Sequence, residues 1–351
     1  MNGYKMGNSI SIKKLAELAD VSVATVSRVI NQKGGYSAEV EQRIQKLIEE
    51  YHYTPNMLAR GLQKSKASVI GILVPDIMNE HFAKIVLELE KEFFQNGYLT
   101  MICNTNESPE LEKRHLQAMV GQNVSGIVLF SGREEKVDMM GIPTVYVNRR
   151  PRNAEESECA VFIESDNENG GYLAASELIE KECDEIYFLT DTLRESSKYS
   201  RYQGYRKAIL ENRISQELEE EYGLILTEDE TEEKISPQIE LWIEKSGLRE
   251  KNKIGKHYGI VCATDSEAIA VIDALEKRKI VVPSQVMVTG YDDVRMAKNF
   301  RIPLTTVHQP TGKMAREAAK QMLKLIAGEP VKKKNFKVPV ELIRRNSTTE
   351  N

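Results

Sequence analysis

Near the start of the chain, apolar positions recur at helical spacing. Ile12, Leu15, Leu18 and Ala19 mark one short helix, and Val26, Val29 and Ile30 mark a second. Ser22 stands where the second helix needs an N-cap, and its other face carries Thr25, Ser27 and Arg28. Only Asp20 and Val21 separate the two. The helices must therefore cross steeply, as in a helix-turn-helix. Ser37 opens a third helix to about Tyr51, with Glu39 and Glu41 in its first turn and Val40, Ile44, Leu47 and Ile48 as its stripe. Tyr53-Thr54-Pro55-Asn56 breaks the pattern. The stretch 56–63 has helical spacing but only two turns, and Gly61 weakens it. A helix that short orders only when something docks against it. Residues 64–68 read as a polar linker.

From Val69 the period changes. Near-continuous apolar runs predict strands at 69–74, 98–103, 124–130, 143–147, 160–163, 185–190, 258–262 and 286–290. Helical patterns, such as the one through 86–91, lie between most of them. That alternation means parallel sheets covered on both faces. A segment of about 280 residues favours two such sheets over one. The expected fold is thus a small all-α helix-turn-helix headpiece followed by an α/β core of two Rossmann-like parallel-sheet halves. The acidic runs at 217–221 and 227–233 read as a surface excursion.

Charge sharpens the division. Residues 1–66 hold ten Lys and Arg against six Asp and Glu, while the rest holds 38 against 47. A basic head on an acidic body suits a small polyanion-binding domain. The four cysteines, Cys103, Cys159, Cys183 and Cys262, form no Cys-x-x-Cys pair and read as free thiols in a reducing compartment. The N-terminus has no apolar leader, and no 18-residue apolar run exists, so a cytoplasmic protein with no membrane contact is expected.

Catalytic patterns are missing. There is no Gly-x-Gly-x-x-Gly, and Gly312-Lys313 lacks the rest of a phosphate loop. The five histidines (52, 81, 115, 257, 308) have no metal-ligand spacing and read as structural or exposed. Asp292 and Asp293 are neighbours at a strand end and should point apart. Gly170-Gly171 reads as a turn at a helix start. No catalytic residue, metal or cofactor is expected. The strand ends instead offer Asp76 and Phe82, Asn148 and Arg149, Thr264 and Asp265, and Asp292. In open α/β sheets ligands bind at the carboxyl ends of strands. Carboxylates, amides and an arginine there suit a hydroxyl-rich ligand, with Phe82 to pack on a sugar face.

These stretches together resemble the lactose/galactose repressor family of bacterial transcription regulators. Val21-Ser22-Val23-Ala24-Thr25-Val26-Ser27-Arg28-Val29-Ile30-Asn31 is similar to its recognition helix, and Tyr53-Thr54-Pro55-Asn56 with Leu58-Ala59-Arg60-Gly61-Leu62 to its hinge. Ile72-Leu73-Val74-Pro75-Asp76-Ile77, Asp166-Asn167-Glu168-Asn169-Gly170-Gly171, Arg201-Tyr202-Gln203-Gly204-Tyr205, Gly290-Tyr291-Asp292-Asp293 and Pro303-Leu304-Thr305-Thr306-Val307-His308-Gln309-Pro310 fall in the family's order. The match runs over residues 10 to 348, and the cadence around Ile30-Asn31 and Asn148-Arg149 looks most like the sucrose-type sugar repressors.

The resemblance implies a headpiece over 10–55, a hinge helix and linker over 56–67, one core half over 68–165 plus 308–328, and another over 166–307 plus 329–346. The chain should cross between halves near 163–166, 307–310 and 328–334. It implies that Ser22, Val23, Ala24, Thr25, Ser27, Arg28, Asn31, Tyr53, Asn56, Ala59 and Leu62 meet double-stranded operator DNA, with Val23 and Ala24 closest to base edges. It implies a small effector, a sugar or sugar phosphate, among Asp76, Phe82, Asn148, Arg201, Thr264, Asp292 and Gln309. Asn148 stands where aspartate is frequent, and Thr264 where asparagine is. A homodimer is implied, and the tail 344–351 has no apolar heptad for a coiled coil that would make a tetramer. The competing reading is a cytoplasmic α/β sugar-binding protein or enzyme with a helical appendage.

Overall fold

A computed structural model of the chain describes residues 10–30, 33–51, 53, 69–130, 139, 141–151, 160–212, 224–227, 232–246 and 257–349. The chain forms two compact units, Met1–Ala67 and Ser68–Asn351. The expected hinge helix at 56–63, with Asn56, Ala59 and Leu62, lies outside the described residues, as does Asn31.

In the first unit, α1 spans Ile12–Leu18, α2 Val23–Ile30 and α3 Ala38–Glu50. Each begins at a serine whose hydroxyl takes up a backbone N–H that the first turn leaves unpaired. Ser11 Oγ accepts from Lys14, Ser22 Oγ from Thr25 and Ser37 Oγ from Val40, at 3.2, 3.1 and 3.3 Å. The α1–α2 turn passes through Asp20 at φ 48°, a conformation aspartate tolerates better than most residues. Leu15, Ala16, Ala19, Val26, Val29, Ile44 and Tyr53 form one buried core under the three helices.

The second unit holds two six-stranded sheets. The first contains β1 Val69–Val74, β2 Leu99–Asn104, β3 Gly126–Leu129, β4 Thr144–Val147, β5 Ala160–Ser165 and β11 Asn335–Val338. Its order is β11-β5-β4-β3-β1-β2, and every pairing is parallel. The second contains β6 Glu185–Thr190, β7 Leu224–Leu226, β8 Tyr258–Cys262, β9 Val286–Asp292, β10 Thr305–His308 and β12 Glu341–Ile343. Its order is β12-β10-β9-β8-β6-β7, with β12 antiparallel at the edge.

Helices cover both faces, as buried parallel strands require. In the first half these are α4 Glu80–Gln95, α5 Pro109–Gly121 and α11 Thr311–Ala327. Ile85, Leu89 and Phe93 of α4 and Met314, Ala318 and Met322 of α11 pack on Ile72, Val128 and Val145. The second half uses α6 Asn167–Glu180, α7 Ser196–Glu211, α8 Glu232–Ser246, α9 Asp265–Lys277 and the short α10 Arg295–Asn299. Gly170-Gly171 is no turn: both glycines lie inside α6. A Cβ on Gly171 would stand 1.9 Å from the Arg201 carbonyl oxygen, and one on Gly204 1.8 Å from that of Glu168. The glycines let α6 and α7 touch backbone to backbone, and this fixes where Arg201 starts.

The chain passes between the two sheets after β5 and again after β10. The third passage differs from the expected one. Residues 335–338, expected in the second half, pair with β5 in the first sheet, so the chain crosses between Val338 and Glu341. The reason is register: Asn335–Val338 completes the open edge of β5, and Pro339 ends the pairing before β12 begins. Among the described residues no helix is long and apolar enough to cross a membrane.

Candidate functional site

On α2, Ser22, Ala24 and Arg28 are exposed, and Thr25 and Ser27 are half-exposed. The Ser22 and Thr25 hydroxyls lie 2.9 Å apart, so cap and first turn form one polar edge. Val26 and Val29 point the other way, into the core. The helix thus presents a narrow polar face with one long cation. Val23, expected closest to base edges, packs partly against the headpiece core, and Tyr53 is buried in it. Both are drawn inward because so small a unit has few other apolar groups to bury.

The second assembly lies where the carboxyl ends of both sheets meet. Its centre is Arg201 on α7, 3% exposed. Its Nε donates to Asn167 Oδ1 at 3.0 Å and its Nη1 to the Ala263 carbonyl at 2.6 Å. Its Nη2 faces Asp292 Oδ1 at 3.8 Å, and the guanidinium stacks 3.6 Å from the Tyr291 ring centroid. Gln309 Nε2 donates to the same Asp292 oxygen at 2.5 Å, and Ser165 Oγ donates to Gln309 Oε1 at 2.5 Å. Ser165 ends β5 and Gln309 follows β10, the two strands at which the chain changes halves. The two crossings are therefore joined by hydrogen bonds from Ser165 through Gln309 to Asp292, which in turn pairs ionically with Arg201.

Asp292 and Asp293 point apart, as their adjacency requires. Both have positive φ, 120° and 55°. Asp293 accepts from Arg345 Nη2 at 2.6 Å and faces His308 Nδ1 at 2.9 Å. Asp265 is fully buried, where Thr306 Oγ1 and the Val294 N–H donate to it at 2.5 and 2.9 Å. Burial, and then the Asp292 charge, push its carboxyl well above the usual range.

Across the seam, the first half contributes His81, Phe82, Asn148 and Arg149, all buried. Asn148 sits at φ 69° just after β4, which turns its amide toward His81, 3.3 Å from Nε2. Burial, and then the Arg201 charge, push the His81 ring down to about 3, so it is neutral. Phe82 is not an open platform. Its edge meets Phe130, and the Arg149 guanidinium lies 5.2 Å from its centroid. Arg149 bridges to Glu107 and to Glu195 of the other half, each at 2.9 Å. Arg150 N–H donates to Ser196 Oγ, and Arg295 N–H to the Glu80 carboxylate, closing further links between the halves.

Of the expected effector residues, Arg201, Asp292 and Gln309 are thus joined, and Asn148 and Phe82 meet each other's neighbours. Thr264 follows Ala263 and caps α9, its hydroxyl accepting from Glu267 N–H at 3.2 Å in a reciprocal capping box. Asp76 stands apart; it is exposed and its Oδ1 accepts from Met78 N–H at 2.9 Å. The structure adds His81, Ser165, Glu195 and Lys198, whose Nζ meets Asp191 at 2.6 Å. None carried a sequence signal beyond being a polar residue in or beside a predicted helix or strand.

A helix-turn-helix unit joined to a two-sheet core with a polar seam defines a DNA-binding transcription regulator with a ligand-binding core. Residues 11–56 match the bacterial regulatory proteins of the lacI family, and residues 175–348 the periplasmic binding protein-like domain. The HTH-type transcriptional regulator RegA of Clostridium saccharobutylicum is 32% identical, over 96% of this chain and 99% of its own. This chain belongs to the lacI family. Among solved structures, the transcriptional regulator CelR–cellobiose complex superposes with a TM-score of 0.71 at 25% identity, covering 96% of this chain and 99% of that one. The lac repressor dimer bound to operator and an anti-inducer gives 0.78 at 21% identity, covering 98% and 100%.

Proposed function

We propose that this chain is a cytoplasmic repressor, with no enzymatic activity, that binds operator DNA as a homodimer and is controlled by a sugar held in the seam of its core. The single observation that carries the reading is the pairing of the buried Arg201 with Asp292, tied through Gln309 and Ser165 to both crossings. A group bound there pulls on the segments about which the halves turn. A fork of donors beside a carboxylate acceptor suits hydroxyls on adjacent carbons. The similar regulator CelR is seen in complex with cellobiose. On the DNA side, Ser22, Ala24, Thr25, Ser27 and Arg28 make the contacts, and a dimer sets two headpieces on two half-sites. Gln309 acts through Asp292, because Ser165 and Asp292 occupy its amide.

The test is fluorescence anisotropy on promoter DNA from beside the gene, with D-glucose, D-ribose and cellobiose added singly. Sequence-specific binding that one sugar changes in the parent, and that Arg201→Ala makes insensitive, supports the reading. No preference for that DNA over random DNA, or a full sugar response in Arg201→Ala, overturns it.

A further inference from the structure

Between Lys324 and Lys337 the chain carries five lysines and one carboxylate, Glu329. The body around them is acidic, since residues 67–351 hold 38 Lys and Arg against 47 Asp and Glu. Two of the five lysines have structural reasons. Lys324 stands in the last turn of α11, where a cation meets the negative end of the helix. Lys337 lies on the edge strand β11, where lysine guards against stray pairing, and its charge reaches Glu164 opposite. Lys334 is fixed through its backbone, its carbonyl accepting from Phe162 N–H at 2.8 Å. Lys332 and Lys333 have no such reason. Both are exposed, both precede the strand, and neither meets a carboxylate among the described residues. Lys333 Nζ lies 5.0 Å from the Phe336 ring centroid, and Phe336 packs against the core of the first half. The ring holds that ammonium in place without neutralising it. Adjacent like charges repel, so the run works against the compact state. Two such cations kept side by side suit a polyanion.

Their place in the sheet says which polyanion. β1 begins at Val69 and is the first strand after the headpiece and its connection. It runs parallel with β3, β4, β5 and β11. Residues 332–334 lead into β11, so they lie at the end of the sheet where the chain enters, four strands from β1 or about 19 Å away. The connection over residues 54–68 reaches at most about 56 Å. DNA held by the headpiece is therefore tethered to this loop. Its effective concentration there is about millimolar, so phosphate contacts too weak to bind DNA alone still add to affinity.

We propose that Lys332 and Lys333 form a second nucleic-acid contact, on the core and apart from the recognition helix, that grips the phosphates of duplex flanking the operator. Phosphates are met there by charge and carry no sequence information. This rests on the operator binding proposed above.

The test is fluorescence anisotropy with the full chain on two duplexes. One is the shortest piece of promoter DNA that keeps sequence-specific binding. The other adds about 15 base pairs at each end, the reach of the connection at about 3.4 Å per base pair. The flanks should tighten binding by the parent at least about fivefold at about 0.1 M salt. They should also steepen the fall of affinity with salt by about 0.9 for each phosphate neutralised, up to about 4 in a dimer. Lys332→Gln with Lys333→Gln should lose most of the flank gain and of the extra salt slope. That variant should keep the short-duplex affinity, the thermal transition of the core and the sugar response. Lys332→Arg with Lys333→Arg, which preserves both charges, should keep the flank gain. An equal flank gain in the parent and the glutamine variant, or none in the parent, overturns the inference and leaves operator binding standing. An equal loss on both duplexes overturns it too, because the lysines would then act within the operator or through the fold. Binding to phosphatidylglycerol vesicles that the glutamine variant loses, with no flank effect, assigns the lysines to a membrane surface instead. If the parent prefers neither duplex over random DNA, the operator reading fails and this inference with it.

Discussion

The recognition helix and the core seam handle polar groups in opposite ways. On α2 the polar side chains are left at the surface, and Ser22, Ala24 and Arg28 are exposed. In the seam they are buried and spent on one another: Arg201, Lys198, Asn148 and Gln309 are all under 4% exposed and all hydrogen-bonded or ion-paired. The partners explain the difference. DNA arrives with its phosphates and base edges in place, so a helix need only present donors at the right pitch. A small ligand has no such frame, and the protein must prebuild the geometry around it. An exposed site therefore depends on the packing beneath it, whereas a buried one depends on the backbone that sets its side chains.

The largest effect should come from breaking the packing under α2. Val26 is fully buried in a core of seven residues. Val26→Asp would bury a charge with no partner, a change costing well over about 4 kcal/mol and more than so small a unit can bear. Operator binding should fall by more than about a hundredfold, while the thermal transition of the core stays in place. Retained operator affinity in this variant would show that α2 does not read DNA.

Next comes the backbone under the seam. Gly204→Ala puts a Cβ 1.8 Å from the Glu168 carbonyl, and neither backbone can give way cheaply. The expected cost is about 3 kcal/mol, read as a lower denaturant midpoint of the core. Because Arg201 is one turn away on α7, the sugar response should weaken even where the core stays folded. The headpiece should keep its helicity. A variant as stable as the parent would mean that the close contact of α6 and α7 can relax.

A smaller effect belongs to the surface of α2. Arg28→Ala should cost about 1–3 kcal/mol of specific affinity if the guanidinium meets a base edge as a fork. Non-specific binding should change less and should still weaken steeply with salt. An equal loss on operator and on random DNA would move Arg28 from base reading to phosphate contact.

This contrast also decides what could be read from the sequence. The α2 face was legible because Val26, Val29 and Ile30 leave one helical side to Thr25, Ser27 and Arg28. Strands such as β1, β6 and β8 were legible because buried parallel strands are apolar almost throughout. Strand β10 was not, since Thr305-Thr306-Val307-His308 looks like a polar loop. Thr305 and Thr306 are nonetheless fully buried, their hydroxyls bonded to the Arg345 carbonyl and Asp265. Strand β11 was misassigned because Asn335-Phe336-Lys337-Val338 is a half-exposed edge, whose sheet only tertiary pairing can choose. In the seam, Arg201 and Asp292 stood out through the family resemblance. His81 did not, because a lone histidine in an amphipathic helix has no spacing to announce it. Phe82 was read as a platform, and only the fold shows Arg149 lying over its ring.

The smallest test separates two neighbours in the chain. Asp292 belongs to the seam, while Asp293 turns away to Arg345 and His308. Burial alone would raise the Asp293 carboxyl, but the hydrogen bond and charge of Arg345, and then His308, outweigh it and hold it below its usual value. A carboxylate lowered by folding adds stability above the unfolded value of about 3.9 and loses it as pH falls through the folded one. Asp293→Asn should therefore cost about 1 kcal/mol between pH 5 and 8, a typical net worth for such a contact. The difference from the parent should shrink below about pH 4, where the parent carboxyl takes up its proton. Sugar affinity should stay unchanged, because Asp293 does not touch the Arg201–Asp292–Gln309 chain. Chemical denaturation at stepped pH, paired with calorimetry at pH 7, measures both. A gap that persists unchanged to pH 2 would assign the loss to packing, and a weakened sugar would place Asp293 in the seam after all.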